Sequence, residues 1–309
     1  MPRSKPKHAM IAIEAKKNYI PYIRSNLSDI WPPTSYLCYS DSIIAPPPSV
    51  PLKCRFAFYE RDPVDLALDW VDPADLKPIP VVMPAHERRP GGDWEASVML
   101  PEECLCRRSN LFATLTTPAA GNAEISNYPI PARAGIYSAN VVVFRGGPDK
   151  YETWKEYKAL PIISVCPVQR PKLDISGKRY AFIQEKELMT EKIHTALRIA
   201  VWHKHTRLCI GTFGLGVGYQ NPTEEVALMW RDALLYNPEF NGHFQDVVFA
   251  FESPEGSAAT SSISSAVSSS SKSRSASSSR SNVAADLAIF RHVFKPAVIH
   301  NAFNQSEQL

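Results

Sequence analysis

Two glutamates stand side by side at Glu102 and Glu103, one loop length after a pair of glycines, Gly91 and Gly92, and an aspartate, Asp93. Adjacent carboxylates suit acid and base work, because one can exchange a proton with a substrate while its neighbour holds that substrate. Pro101 precedes them and fits the first position of a helix, which puts both acids at the positive end of the helix dipole. Consecutive helical residues point roughly 100° apart, so the two side chains have different tasks. The glycines follow an apolar run, Ile79-Pro80-Val81-Val82-Met83, where bare backbone can approach a ligand closely. The same pattern also has a plainer reading, since acids in a first helical turn are ordinary helix-start chemistry.

A second constellation lies far downstream. A short strand, Leu208-Cys209-Ile210, runs into Gly211-Thr212-Phe213-Gly214-Leu215-Gly216-Val217-Gly218-Tyr219. After it Asn221 suits an N-cap, Pro222 a first helical position, and Glu224 and Glu225 a first turn. Strand, glycine loop and helix start together form an anion cradle, where free backbone N–H groups and the helix dipole converge. Glycine also serves plain turns, which is the competing reading. The loop lacks the Gly-Lys-Ser/Thr ending of a phosphate-binding Walker motif and comes too late for the first turn of a dinucleotide fold. His86 follows the first apolar run with no second histidine beside it, so neither a metal nor a cofactor is expected.

Strands and helices must position these loops. Alternation over Cys54-Arg55-Phe56-Ala57-Phe58-Tyr59-Glu60 predicts a strand, and Asp62-Pro63 opens a short helix. Buried strands are predicted over 79–83, 140–145, 160–166 and 246–251. Met189, Ile193, Leu197 and Val201 recur at helical spacing. Residues 253–282 are about half serine and are expected to be disordered, since they bring little apolar surface to offset ordering entropy. A closing helix over 287–294 follows. Residues 1–50 read as an accessory segment: a basic head with room for one amphipathic helix over 9–15, then a proline-rich extended connector over 31–51.

Composition narrows the function classes. With 34 basic and 31 acidic residues, the net charge of +3 is too small to argue for nucleic acid binding. Cysteines at 38, 54, 104, 106, 166 and 209 form no CxxC pair, so neither zinc site nor disulfide frame is favoured. No apolar run approaches the ~18 residues of a membrane helix. An intracellular protein, in cytoplasm or nucleus, is expected, and a monomer.

The stretch from Gly91 to Ser109 resembles the signature of the microbial-type poly(ADP-ribose) glycohydrolases, which are macrodomain enzymes. That signature is three glycines, six to eight residues, then Gln-Glu-Glu and a Leu-Cys-Arg-Arg-Ser-like continuation. Here Pro101-Glu102-Glu103 and Cys104-Leu105-Cys106-Arg107-Arg108-Ser109 keep the spacing. Asp93 replaces the third glycine, Pro101 the glutamine, and His86 stands where an asparagine is common. Tyr128-Pro129-Ile130, Ile136-Tyr137-Ser138 and Val141-Val142-Val143-Phe144-Arg145 extend the resemblance. The 211–222 loop resembles the family's diphosphate loop, with Tyr219 beside the place of a phenylalanine that packs on the distal ribose.

The resemblance implies an α/β macrodomain over 51–304, a three-layer α/β/α arrangement with a mixed central sheet. It implies cleavage of the ribose-ribose bond of poly(ADP-ribose), or removal of ADP-ribose from modified proteins, without a metal. Glu103 would be the general acid and base and Glu102 would hold a ribose hydroxyl. Gly91, Gly92, Asp93, His86, Gly214, Leu215, Gly216, Val217, Gly218 and Tyr219 would line the ligand. ADP-ribose, its polymer and ADP-ribosylated proteins are the implied partners. Asp93 motivates an alternative, a macrodomain that binds ADP-ribose without cleaving it.

Overall fold

A computed structural model of the chain describes residues 7–48, 50–70, 75–118, 125–252 and 273–306. Its elements run α1 (Lys7–Glu14), a π-helical turn (Ala15–Tyr19), α2 (Ile20–Asn26), β1 (Ser35–Tyr39), β2 (Arg55–Tyr59), α3 (Pro63–Asp69) and β3 (Val81–Pro84). Then come α4 (Pro101–Arg108), α5 (Leu111–Leu115), β4 (Ala134–Arg145), β5 (Thr153–Val165), α6 (Ile183–Trp202) and β6 (Arg207–Ile210). The short α7 (Gly216–Tyr219), α8 (Thr223–Leu235), β7 (Asp246–Ala250), α9 (Ser273–Val293) and α10 (Pro296–Ser306) complete the order.

The seven strands form one sheet in the order β1-β4-β5-β3-β6-β7-β2. The pairs β1/β4 and β4/β5 are antiparallel and the rest parallel, so the sheet is mixed, as expected. Side chains alternate across each strand. Val82 and Ile210 point into one core with α6, α8 and α9; Val81, Met83 and Cys209 point into the other with α1 to α5. Those two cores are the inner seams of three layers.

Register positions the site. Val81 and Val82 of β3 lie opposite Cys209 and Ile210 of β6 in parallel, so both strands end at the same edge of the sheet. The chain leaves β3 toward His86 and the Gly91 turn, and leaves β6 into the Gly211 loop. Two glycine-bearing loops thus rise side by side from adjacent strands, where α/β sheets open their ligand crevice.

Two expectations need correction. Residues 35–39, read as part of an extended connector, form the edge strand β1, with Ser35↔Ser138 through Tyr39↔Ala134 paired. The basic head runs as helix to Asn26, with Ala12, Ala15, Ile20 and Ile23 buried. A π turn shifts the phase of that apolar face and two of its members are only alanine, so the 3.6-residue pattern is faint. Of the serine-rich segment, 253–272 lies outside the described residues, as do Arg3 and Lys5 of the head. Residues 273–282 are helical backbone, the start of α9. Once the apolar residues of 283–293 hold the helix to the core, adding further turns needs no new nucleation.

Candidate active site

α4 begins as the sequence predicts, with Pro101 in its first turn and Glu102 and Glu103 behind it. Both acids are buried, at 1% and 3% exposure. The Glu102 carboxyl accepts from two backbone groups of the first loop: His86 N–H at 2.5 Å on Oε2 and Gly91 N–H at 3.3 Å on Oε1. Oε1 of Glu103 accepts from Asp93 N–H at 3.3 Å. The glycine turn therefore wraps the acid pair with donated N–H groups.

Both glycines are needed there. Gly91 and Gly92 have φ of 68° and 51°, left-handed values that side chains disfavour. A Cβ on Gly92 would also lie 3.1 Å from Cδ of Glu103, with Oε1 nearer still, and 3.2 Å from Cδ2 of His86. Asp93, at the third-glycine position, is not among the described residues with positive φ, so its backbone makes no demand for glycine. Its carboxylate is half-exposed and pairs with Arg89.

Burial dominates the electrostatics. Desolvation pushes Glu102 up to about 8, with the Glu103 charge adding to the rise and the His86 N–H opposing it. Glu103 is also raised, chiefly by burial, with its own backbone N–H, the Asp93 N–H and the Arg107 guanidinium working against it. For both acids, withdrawal from water outweighs the effect of the neighbouring charges. His86 is lowered, first by burial and then by Arg89.

The second loop closes over this pair. Gly214 and Gly216 both take φ of 76°, and Gln220 ends α7 in the left-handed region. Gly218 packs so tightly on Leu100, the residue before α4, that a Cβ would lie 2.5 Å from its Cδ2. Tyr219 is buried, and its phenol is pushed well above its usual range by burial and by the charges of Glu102 and Glu103. Leu215 turns its side chain into the core and Val217 turns its own to solvent, so these two can offer a ligand only backbone from within the loop. Asn221 does not cap α8, whose N-cap is Pro222. Its amide instead donates to Val168 O at 2.7 Å and Gly214 O at 2.8 Å and its oxygen accepts from Tyr180. Satisfying three partners across the loop outweighs one terminal cap.

Several site residues escape sequence reasoning because their partners are distant in the chain. Arg107, fully buried, donates to Trp94 O at 2.9 Å, Ala96 O at 2.8 Å and Val98 O at 2.5 Å, fastening the loop between the glycines and the acids. Arg108 pairs with Asp62 and Asp65 and so ties α4 to α3. Burial and Asp62 push the adjoining Glu252 up to about 9. The buried Tyr128 hydroxyl, close enough to Glu102 to feel its charge, has no hydrogen-bond partner among the described residues.

Residues 36–146 match the family model of the microbial-type PARG catalytic domain. The microbial-type PARG resemblance read from the signature holds over this stretch, which contains the glycine turn, α4 and β4. Among solved structures, the chain is similar to poly(ADP-ribose) glycohydrolase from Thermomonospora curvata, at 18% identity and a TM-score of 0.62, covering 93% of this chain and 99% of that one. The enzyme from Deinococcus radiodurans in complex with ADP-ribose matches at 18% identity and 0.58, over 90% and 98% of the two chains. The Thermomonospora curvata enzyme bound to the inhibitor ADP-HPD matches at 19% and 0.58, over 79% and 92%. These likenesses show a common PARG fold. No curated protein matches the chain. Among the described residues, no helix is long and apolar enough to cross a membrane.

Proposed function

We propose that the protein is an ADP-ribosyl glycohydrolase that cleaves the ribose-ribose bond of poly(ADP-ribose), or releases ADP-ribose from modified proteins. The observation that carries this reading is the buried Glu102–Glu103 pair, held under a glycine turn and raised in pKa. Glycoside cleavage passes through an oxocarbenium-like state and is served by a carboxylic acid whose pKa is raised. Glu103 is that general acid: it protonates the departing ribose oxygen and then, as carboxylate, takes a proton from the attacking water. Glu102 is already engaged by the N–H groups of His86 and Gly91. It keeps the turn closed and offers its remaining acceptor capacity to a ribose hydroxyl.

The loop of Gly214, Gly216 and Gly218 supplies backbone for the diphosphate, and Tyr219 the wall beside the distal ribose. Asp93 pairs with Arg89, which offsets part of its charge. That weakens the carboxylate-against-diphosphate argument for a binding-only macrodomain. The six cysteines are free thiols, in keeping with an intracellular setting. Calorimetric titration with ADP-ribose tests the placement: saturable binding to the folded protein is expected, and no heat at millimolar ligand would contradict it.

A further inference from the structure

The buried stripe of α6 runs through Met189, Lys192, Ile193 and Ala196. Residues three apart share a helix face, so Lys192 lies one turn beyond Met189 on the same side. Met189 sits beneath the second glycine loop: a Cβ on Gly214 would come 2.6 Å from its Cε and 3.4 Å from Cβ of Pro167. Lys192 is thereby directed at the end of β5. Cys166 and Glu87 act on it electrostatically there, along with Glu191 of its own helix. Cys166 in turn is close enough to Glu102 and Tyr219 to interact with both. Cys166 is thus a neighbour shared by the lysine, Glu102 and Tyr219.

Lys192 is only 5% exposed, yet its ammonium has no hydrogen bond or ion pair among the described residues. The other buried cations each have a carbonyl or carboxylate partner, although Nε of Arg108 and of Arg145 finds none among the described residues. Arg107 bonds three carbonyls, Arg108 pairs with Asp62 and Asp65, Arg145 with Glu14 and Arg207 with Asp75. Nζ of Lys192 is not among the water-excluded atoms that lack a partner, so the stem is buried while the ammonium still meets solvent and is open to an anion. Burial already pulls its pKa down.

We propose that Lys192 is an anion-binding residue of the cleft, meeting a phosphate of the ADP-ribosyl ligand beside the Gly214 loop. This rests on the function proposed above. The test measures ADP-ribose affinity by calorimetry, and ligand-free melting, for the wild type, Lys192→Met and Lys192→Arg. Methionine keeps an apolar stem of similar length while removing the charge; arginine keeps the charge.

A charge-assisted contact predicts that Lys192→Met weakens ADP-ribose at least ~10-fold while Lys192→Arg retains most of the affinity. Ligand-free Lys192→Met should melt close to the wild type, because the ammonium has no hydrogen bond or ion pair to lose and the apolar stem is kept. Binding by Lys192→Met within about threefold of wild type would overturn the proposal. So would equal losses in both variants with lowered ligand-free melting, which would mark a packing role. A wild type that binds no ADP-ribose would instead sink the proposed function, and this assignment with it.

Discussion

Gly92→Ala isolates the contact on which the acid pair depends. The substitution has two effects. At φ of 51° an alanine is strained in the left-handed region by roughly 1–2 kcal/mol. Its methyl carbon would also meet the Glu103 carboxylate, at 3.1 Å from Cδ and closer to Oε1. Comfortable contact begins near 3.5 Å, so the carboxylate must withdraw by roughly 1 Å. A displacement of that size at a catalytic group lowers turnover about 10²-fold.

Gly177→Ala is the matched control. Its φ is 69°, but among the described residues nothing lies within 4 Å of the added carbon, so it carries the backbone strain alone. Both variants should melt lower than wild type by roughly 2–8 °C. Initial rates of ADP-ribose release from poly(ADP-ribose) should fall about 10²-fold in Gly92→Ala only. If Gly92→Ala lost no more rate than Gly177→Ala, the claim that the turn's missing side chain makes room for the acid would be refuted.

Glu102 makes stability depend on pH. Its folded pKa of about 8 lies above the unfolded value of about 4.3, so between those limits the folded state holds a proton that the unfolded state releases, and stability falls as pH rises from about 5 to 8. Glu103 and Glu252 are raised as well, so Glu102→Gln should reduce this slope in urea unfolding without abolishing it; an unchanged slope would contradict the burial argument. Arg107→Ala strips the donor from three carbonyls of the loop before α4 and should destabilise the protein by about 3–5 kcal/mol in chemical unfolding. A change below about 1 kcal/mol would mean that the loop is held by other contacts.

What could be read in the sequence was local. Gly91 and Gly92 imply a turn because few other residues tolerate positive φ, and Pro101 before two acids implies a helix start because each residue suits its position there. The parallel strands are legible as short apolar runs bounded by proline and glycine. Long-range geometry was not. Ser35 joins the sheet through residues a hundred positions away, and its short strand sits in a proline-rich stretch that reads as connector. The approach of Tyr219 to Glu102 and Glu103 follows from the register of β3 on β6, which no local spacing encodes. The leading cause of the raised acids, burial, exists only once α4, the glycine turn and the second loop have closed on one another.

Incubation of the wild type and Glu103→Gln with poly(ADP-ribose), followed by quantification of free ADP-ribose, tests the central claim most directly. The glutamine keeps the shape of the side chain but has no proton to give. The account predicts release of ADP-ribose by the wild type and a loss of about 10²-fold or more in the variant, with ADP-ribose affinity little changed. Full activity in Glu103→Gln would contradict it.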